Sequence, residues 1–171
     1  MIKSNVRFPA ASEGDMWGQI ASLRTGYRRI GELCSKYGVE VVRGSMKRLL
    51  DQGEIVARKR LAEMPNGVWE MEEFMDDDGH GNPVKIKVKI TITDDEFLAD
   101  FTGSSPQVAS PINTGYSSLC AGVKVVYMSI LNPSLAVNDG VFRPMRVIAE
   151  DGSVLRCHSP CLLYTSDAAD D

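Results

Sequence analysis

Histidine is nearly missing from this sequence, two in 171 residues, and its scarcity removes whole classes of chemistry. A serine or cysteine triad needs a positioned imidazole, and the only two are His80, in a run of turn-formers, and His158, near the end of the sequence. No Gly-x-Ser-x-Gly elbow accompanies either one. Zinc is excluded for a related reason: Cys157, His158 and Cys161 have no second ligand pair elsewhere to close a four-ligand site. The four cysteines, at 34, 120, 157 and 161, are too irregular for a disulfide framework, so a reducing, cytoplasmic setting is expected. Excess charge is also lacking. A net charge of −4 and a pI near 5.2 give no support to a nucleic-acid or anionic-membrane partner. No apolar run approaches the roughly 20 residues that span a bilayer, and the first residues lack the apolar core of a signal peptide. There is no Gly-x4-Gly-Lys-Ser/Thr loop, no Gly-x-Gly-x-x-Gly turn and no internal repeat.

What is present fits an ordinary globular domain, 43% hydrophobic and 25% charged. Residues 1–13 read as an extended lead-in, with Asp15 as the N-cap of a helix. Met16, Ile20, Leu23, Tyr27, Ile30, Cys34 and Tyr37 alternate spacings of four and three, one narrow apolar stripe ended by Gly38. A second helix is expected over 39–64, with Val42, Met46, Leu49, Val56 and Leu61 inward and the first helix antiparallel to it as a hairpin. Pro65-Asn66-Gly67 is a turn, after which the period changes. Strands are expected over 68–75, 84–92 and 96–102. In the second, Val84, Ile86, Val88, Ile90 and Ile92 alternate with Lys85, Lys87, Lys89 and Thr91. Three strands joined by tight turns predict an antiparallel meander. A helix over 115–131, with Leu119, Val123, Val126 and Ile130 on one side, ends at Asn132-Pro133. A loop over 138–144 and a short strand over 145–149 follow. The fold class is α+β.

The polar residues gather in three places. Asn5, Arg7, Asp15, Gln19 and Arg24 surround the start of the first helix. Ser104, Ser105, Gln107 and Asn113 lie in the loop between the third strand and the next helix. Asn138, Asp139 and Arg143 lie in the loop before the last strand. Arginine suits bidentate recognition of a carboxylate or phosphate, and the central loop is bent by Gly103, Pro106 and Pro111. Arg7, Asp15, Ser104, Ser105, Asn113, Asn138 and Arg143 are therefore the candidate substrate-binding residues, with caps and salt bridges as the plainer reading of each cluster. The acidic run 76–83 is a turn rather than a calcium loop. His80 stands at position five of an EF-hand register and Lys87 at twelve, where a glutamate is required. No residue here is assigned to a metal.

Six motifs occur in order: Asn5-Val6-Arg7-x-Pro9, Gly14-Asp15-x3-Gln19-Ile20-Ala21, Asp76-Asp77-Asp78-Gly79, Asp100-Phe101-Thr102-Gly103-Ser104-Ser105-Pro106-Gln107, Pro111-Ile112-Asn113 and Asn138-Asp139-Gly140-x-Phe142-Arg143-Pro144. Together, over residues 5–156, they resemble the hydantoinase B family, which includes 5-oxoprolinase and the acetone carboxylase alpha subunit. The resemblance implies a subunit several hundred residues long, of which 1–160 is an internal segment inactive alone. Residues 161–171 read as a translated sequencing adapter. It further implies a hydantoinase A-type partner carrying ATP, a cyclic amide activated by phosphorylation and then hydrolysed, and a divalent metal held by motifs outside this stretch. An acetone carboxylase-like subunit, joining a phosphorylated ketone to bicarbonate, is the enzymatic alternative. A non-catalytic scaffold docking a partner through its helix hairpin is the other.

Overall fold

Proline at the first helical position costs nothing, because that N–H has no partner in any helix and the ring already holds helical φ. In the computed structural model, which describes residues 4, 6, 8–131 and 136–159, Pro9 plays this part. Helix α1 spans Pro9–Tyr37, and α2, Val39–Ala62, follows across Gly38. Then come β1 (Gly67–Met75), β2 (Val84–Ile92), β3 (Phe97–Asp100), α3 (Tyr116–Leu131), a 3₁₀ turn (Asp139–Phe142) and β4 (Met145–Ile148). The α+β class and the order of elements are as expected. The chain divides into two compact units, 1–48 and 49–171. Arg7, Asn132-Pro133 and the tail from 160 lie outside the described residues.

In the first unit, the expected cap is not one. Asp15 lies inside α1 and is exposed, because Pro9 starts the helix earlier. Gly38 takes φ +84°, a left-handed value that suits glycine, and its N–H donates to Cys34 O at 2.9 Å. The stripe on α1 is not core: no residue of this helix is buried. No helix among the described residues is long and apolar enough to cross a membrane.

In the second unit, the three expected antiparallel strands form the meander, paired from Gly67↔Ile92 to Met75↔Val84 and from Lys89↔Asp100 to Ile92↔Phe97. A fourth strand, β4, joins parallel to β3, Phe97↔Met145 through Asp100↔Ile148, giving the order β1-β2-β3-β4. A parallel neighbour requires a crossover, which α3 supplies. One sheet face carries the core, where Phe97 and Ala99 of β3 meet Leu119, Val123, Tyr127 and Leu131 of α3 and Ala57 and Leu61 of α2. The Phe97 and Tyr127 rings lie 5.2 Å apart. Two expectations shift. On α3 the buried row is 119/123/127/131, leaving Val126 and Ile130 exposed. On α2 Gly53, Ala57 and Leu61 are buried, while Met46 and Leu49 are not. On the opposite sheet face Lys87 pairs with Glu70 and Glu72, and Lys89 with Glu70, so the basic face of β2 is answered by β1.

Candidate functional site

The loop 101–115 leaves β3 through a tight turn. Asp100 Oδ1 accepts from Thr102 N at 2.9 Å and from Thr102 Oγ1 at 2.6 Å. The hydroxyl bond, above all, holds the Asp100 carboxyl below its ordinary range. Gly103 follows at φ +88° and donates its N–H to Glu150 Oε2 at 3.0 Å.

Ser104 and Ser105 then solve a problem left by the strand lengths. β3 pairs with β2 only as far as Lys89, so the N–H groups of Lys85 and Lys87 would face an open edge. Ser105 Oγ accepts from Lys85 N at 2.9 Å, and Ser104 Oγ accepts from Lys87 N at 3.1 Å. Ser105 N returns a bond to Lys85 O at 2.9 Å, and Ser104 Oγ donates to Phe101 O at 2.9 Å. Two hydroxyls thus stand in for a strand.

Asn113, also buried, fastens the next part of the loop. Its Oδ1 accepts from Val108 N at 2.8 Å, and its Nδ2 donates to Val108 O and Ser110 O, both at 2.8 Å. Gln107 N donates to Gly152 O at 2.8 Å, Thr114 N to Val154 O at 2.7 Å, and His158 N to Gln107 Oε1 at 2.7 Å. The loop is therefore zipped onto residues 150–158. Asp77 and Asp78 of the acidic turn spend their carboxylates on its own backbone, accepting from Gly79 N and Gly81 N, and from His80 N and Asn82 N. The Asn82 amide, chiefly, keeps Asp78 below the ordinary carboxylate range. Ser110 lies against this turn, its Cβ 3.7 Å from where a Cβ on Gly79 would sit. Two hydroxyls in this region, Ser110 Oγ and Ser153 Oγ, are buried with no hydrogen-bond partner among the described residues. Buried groups of that kind have unspent capacity for water or a ligand.

Asn138 and Arg143 sit elsewhere. Asn138 Oδ1 caps the 3₁₀ turn by accepting from Gly140 N at 2.9 Å, while its Nδ2 donates to Leu49 O at 3.3 Å. A Cβ at Gly140 would overlap the Leu50 carbonyl, and one at Gly53 would overlap the Asn138 amide. Arg143 Nη1 lies 2.9 Å from both Asp51 Oδ1 and Glu54 Oε2. Glu54 is also gripped by Arg58, whose Nη1 donates to Asp95 O at 2.7 Å. The Arg143 bond, followed by that of Arg58, draws the Glu54 carboxyl below its usual value, and Glu54 raises Arg143 in return.

The structure brings Ser104, Ser105 and Asn113 into one region and joins Asn138 to Arg143, but it does not join the two groups. Arg143 precedes β4, whose first residue pairs with the first of β3, whereas the central loop leaves the last residue of β3. The four-residue parallel ladder puts roughly 10 Å of strand between them. Asp15 belongs to the other unit, and Arg7 lies outside the described residues. Sequence reasoning missed Ser110, Ser153, Asp51 and Glu54. Only the four-residue spacing of Glu54 and Arg58 offered a signal. Among the described residues no three His, Cys, Asp or Glu side chains stand together as a metal site. A groove of about 550 Å³ between β2 and α3 is lined by Val88, Ile90, Phe101, Leu119, Val126 and Leu155, among others. It lacks the convergent polar groups that orient a small polar ligand.

Compared with known proteins, the pattern of the hydantoinase B/oxoprolinase family matches residues 1–166. The chain belongs to that family. The beta subunit of caprolactamase from Pseudomonas jessenii is 28% identical over 162 residues, covering 94% of this chain and 28% of that one. The crystal structure of the ATP-dependent caprolactamase from Pseudomonas jessenii superimposes with a TM-score of 0.84 over 93% of this chain and 28% of that chain. 5-Oxoprolinase 1 of Arabidopsis thaliana is 28% identical over 155 residues, 82% of this chain and 12% of its own. A nucleotide-free acetone carboxylase shares the fold, with a TM-score of 0.68 at 19% identity over 79% of this chain and 20% of that one. This hydantoinase B-family chain thus spans less than a third of the length of the relatives it matches.

Proposed function

We propose that this chain is a segment of the catalytic subunit of an ATP-dependent cyclic amide hydrolase, working with a hydantoinase A-type partner that binds ATP. The observation that carries the reading is the TM-score of 0.84 to a protein described as an ATP-dependent caprolactamase, a lactam-opening name, over 93% of this chain. The chemistry is consistent with that partnership. An unstrained amide is a poor electrophile. Transfer of the γ-phosphoryl group of ATP to the amide oxygen, on the partner, turns that oxygen into a leaving group. Water then adds at the carbon, the C–N bond breaks with the ring nitrogen leaving as the protonated amine, and a second water hydrolyses the resulting acyl phosphate to carboxylate and inorganic phosphate.

Within this segment the loop 101–115 supplies the candidate contact surface. Its backbone is fixed by Ser104, Ser105 and Asn113, and Ser110 and Ser153 keep buried hydroxyls unspent beside it. In this reading Asn138 and Arg143 act at a distance, holding α2 against the start of β4. The experiment is Ser110→Ala, Ser153→Ala and Arg143→Met in the full-length subunit with its partner, following ATP-coupled ring opening of a hydantoin, 5-oxoproline and caprolactam. The reading expects kcat to fall for the two serine variants and Tm to fall for Arg143→Met. Wild-type turnover in both serine variants would remove the loop from the site.

A further inference from the structure

The sheet face that carries the core is only half covered. α3 packs over β3, with Tyr127 against Phe97. Strand register puts Trp69, Met71, Glu73 and Met75 of β1 on that same face, opposite Ile90, Val88, Ile86 and Val84 of β2. This half is bare: Trp69 is 47% exposed and Met71 58%. The flank of α3 overlooking it is the row Gly122, Val126 and Ile130, and Met64 and Pro65 stand at one end. Gly122 has open space where a Cβ would be. Glu73 is the exception in the apolar row, an exposed carboxylate with no ion-pair partner among the described residues. Glu70 and Glu72 face the other way and are answered by Lys87.

We propose that this strip seats a second helix beside α3, supplied by a part of the same subunit outside the 171 residues. Its apolar face would lie on Trp69, Met71, Val126 and Ile130, with a lysine or arginine against Glu73. The width of the strip selects a helix. Strands about 4.8 Å apart put β1 about 10 Å from β3, and helices side by side lie about 8–10 Å apart. A second sheet does not fit, because α3 already fills half of that layer. The nine residues of β1 extend about 27 Å, the length of a helix of about 18 residues. The source is argued from length and fold. The chain superimposes over 93% of itself on a caprolactamase chain of which it covers 28%, so this fold occurs inside a much longer chain. Glu73 makes the seat selective, since an apolar cover without a cation would bury an unpaired carboxylate. The inference rests on the reading of this chain as a segment of a longer subunit, and not on the chemistry of that subunit.

The test uses the full-length subunit with its A-type partner, carrying the photoreactive p-benzoylphenylalanine in place of Met71 or, separately, of Val126. Adducts formed on irradiation are mapped by mass spectrometry. Both probes are expected to attach within the same polypeptide, outside residues 1–171, at one segment and at positions three or four residues apart. Adducts within 1–171, on the A-type partner or on a second copy overturn the proposal. So do adducts spaced by two, as on an added strand, or none at all. A second measurement does not depend on a bulky probe. Glu73→Lys should lower the Tm of the full-length subunit by several degrees and Glu73→Gln by less, whereas a Glu73→Lys variant that melts with wild type overturns the proposal. Turnover enters neither readout. Ring opening without these adducts removes this inference alone, and the adducts without ring opening remove the catalytic reading alone.

Discussion

Arg143 Nη1 lies 2.9 Å from Glu54 Oε2, joining residues 89 positions apart and fixing α2 to the segment that leads into β4. The pair sits on the surface with Asp51 and Arg58, and its effect is read best against pH. Glu54 has a folded pKa below its ordinary 4.5, chiefly through Arg143. A depressed carboxylate contributes stability that is fully present above the unfolded pKa and lost as pH falls through the folded one. Glu54→Gln should therefore lower Tm at neutral pH, and the gap from wild type should close as the buffer is taken below pH 4.5. A gap of constant size down to acid would assign the loss to packing instead.

Glycine is required at two contacts on the same clasp. Gly140→Ala drives a methyl group into the Leu50 carbonyl, and Gly53→Ala drives one into Asn138. Gly140→Ala meets backbone and should cost about 3 kcal/mol or more, whereas Gly53→Ala meets the end of the Asn138 side chain, which can turn aside at the loss of its hydrogen bonds, and should cost about 1–2 kcal/mol. Gly14→Ala in α1, where nothing stands nearby, should instead be neutral or slightly favourable. Urea denaturation of the three variants separates the outcomes.

Asn113→Ala removes one acceptor and two donors from a buried position and leaves the loop backbone at Val108 and Ser110 unpaired. The expected loss is about 2–4 kcal/mol. Hydrogen exchange should report it as lost protection at Val108 N–H, with the Lys85 and Lys87 amides, held by the two serines, unaffected.

Tyr127 presents the opposite case. Its ring is fully buried against Phe97, but its hydroxyl has no partner among the described residues, and burial pushes its pKa up to about 12. Tyr127→Phe should be neutral or stabilising by about 1 kcal/mol, because it deletes an unsatisfied polar group. A raised phenol contributes stability that is complete below the ordinary value of 10 and lost as pH rises through about 12, so the substitution should also blunt alkaline unfolding. Thermal melts at pH 8 and pH 11 check both parts.

Some of this was legible in the sequence and some was not. β2 appears over 84–92 as expected, because strict alternation of valine and isoleucine with lysine admits one period only. The start of α1 was missed because two good signals competed, and a proline at the first helical position won over an aspartate cap. On α3 the rows 119/123/126/130 and 119/123/127/131 fit a helix equally well. The stack of Tyr127 on Phe97 decides between them, and that is a tertiary fact. The short strand expected over 145–149 appears as β4, but its parallel pairing with β3 across α3 is a long-range contact that no local pattern announces. Ser104 and Ser105 are edge repair only because β3 is shorter than β2. Arg143 is committed because Asp51 and Glu54 reach it from 92 and 89 residues away.

The proposed function is ATP-dependent ring opening by a longer subunit containing this chain together with a proposed A-type partner. The direct measurement is phosphate release alongside ring opening, using the full-length subunit with its A-type partner in bicarbonate-free buffer. Stoichiometric release of phosphate with an opened hydantoin, 5-oxoproline or lactam is the predicted result. Turnover that appears only when a ketone and bicarbonate are supplied, or no ATP-coupled opening of any cyclic amide, would contradict it.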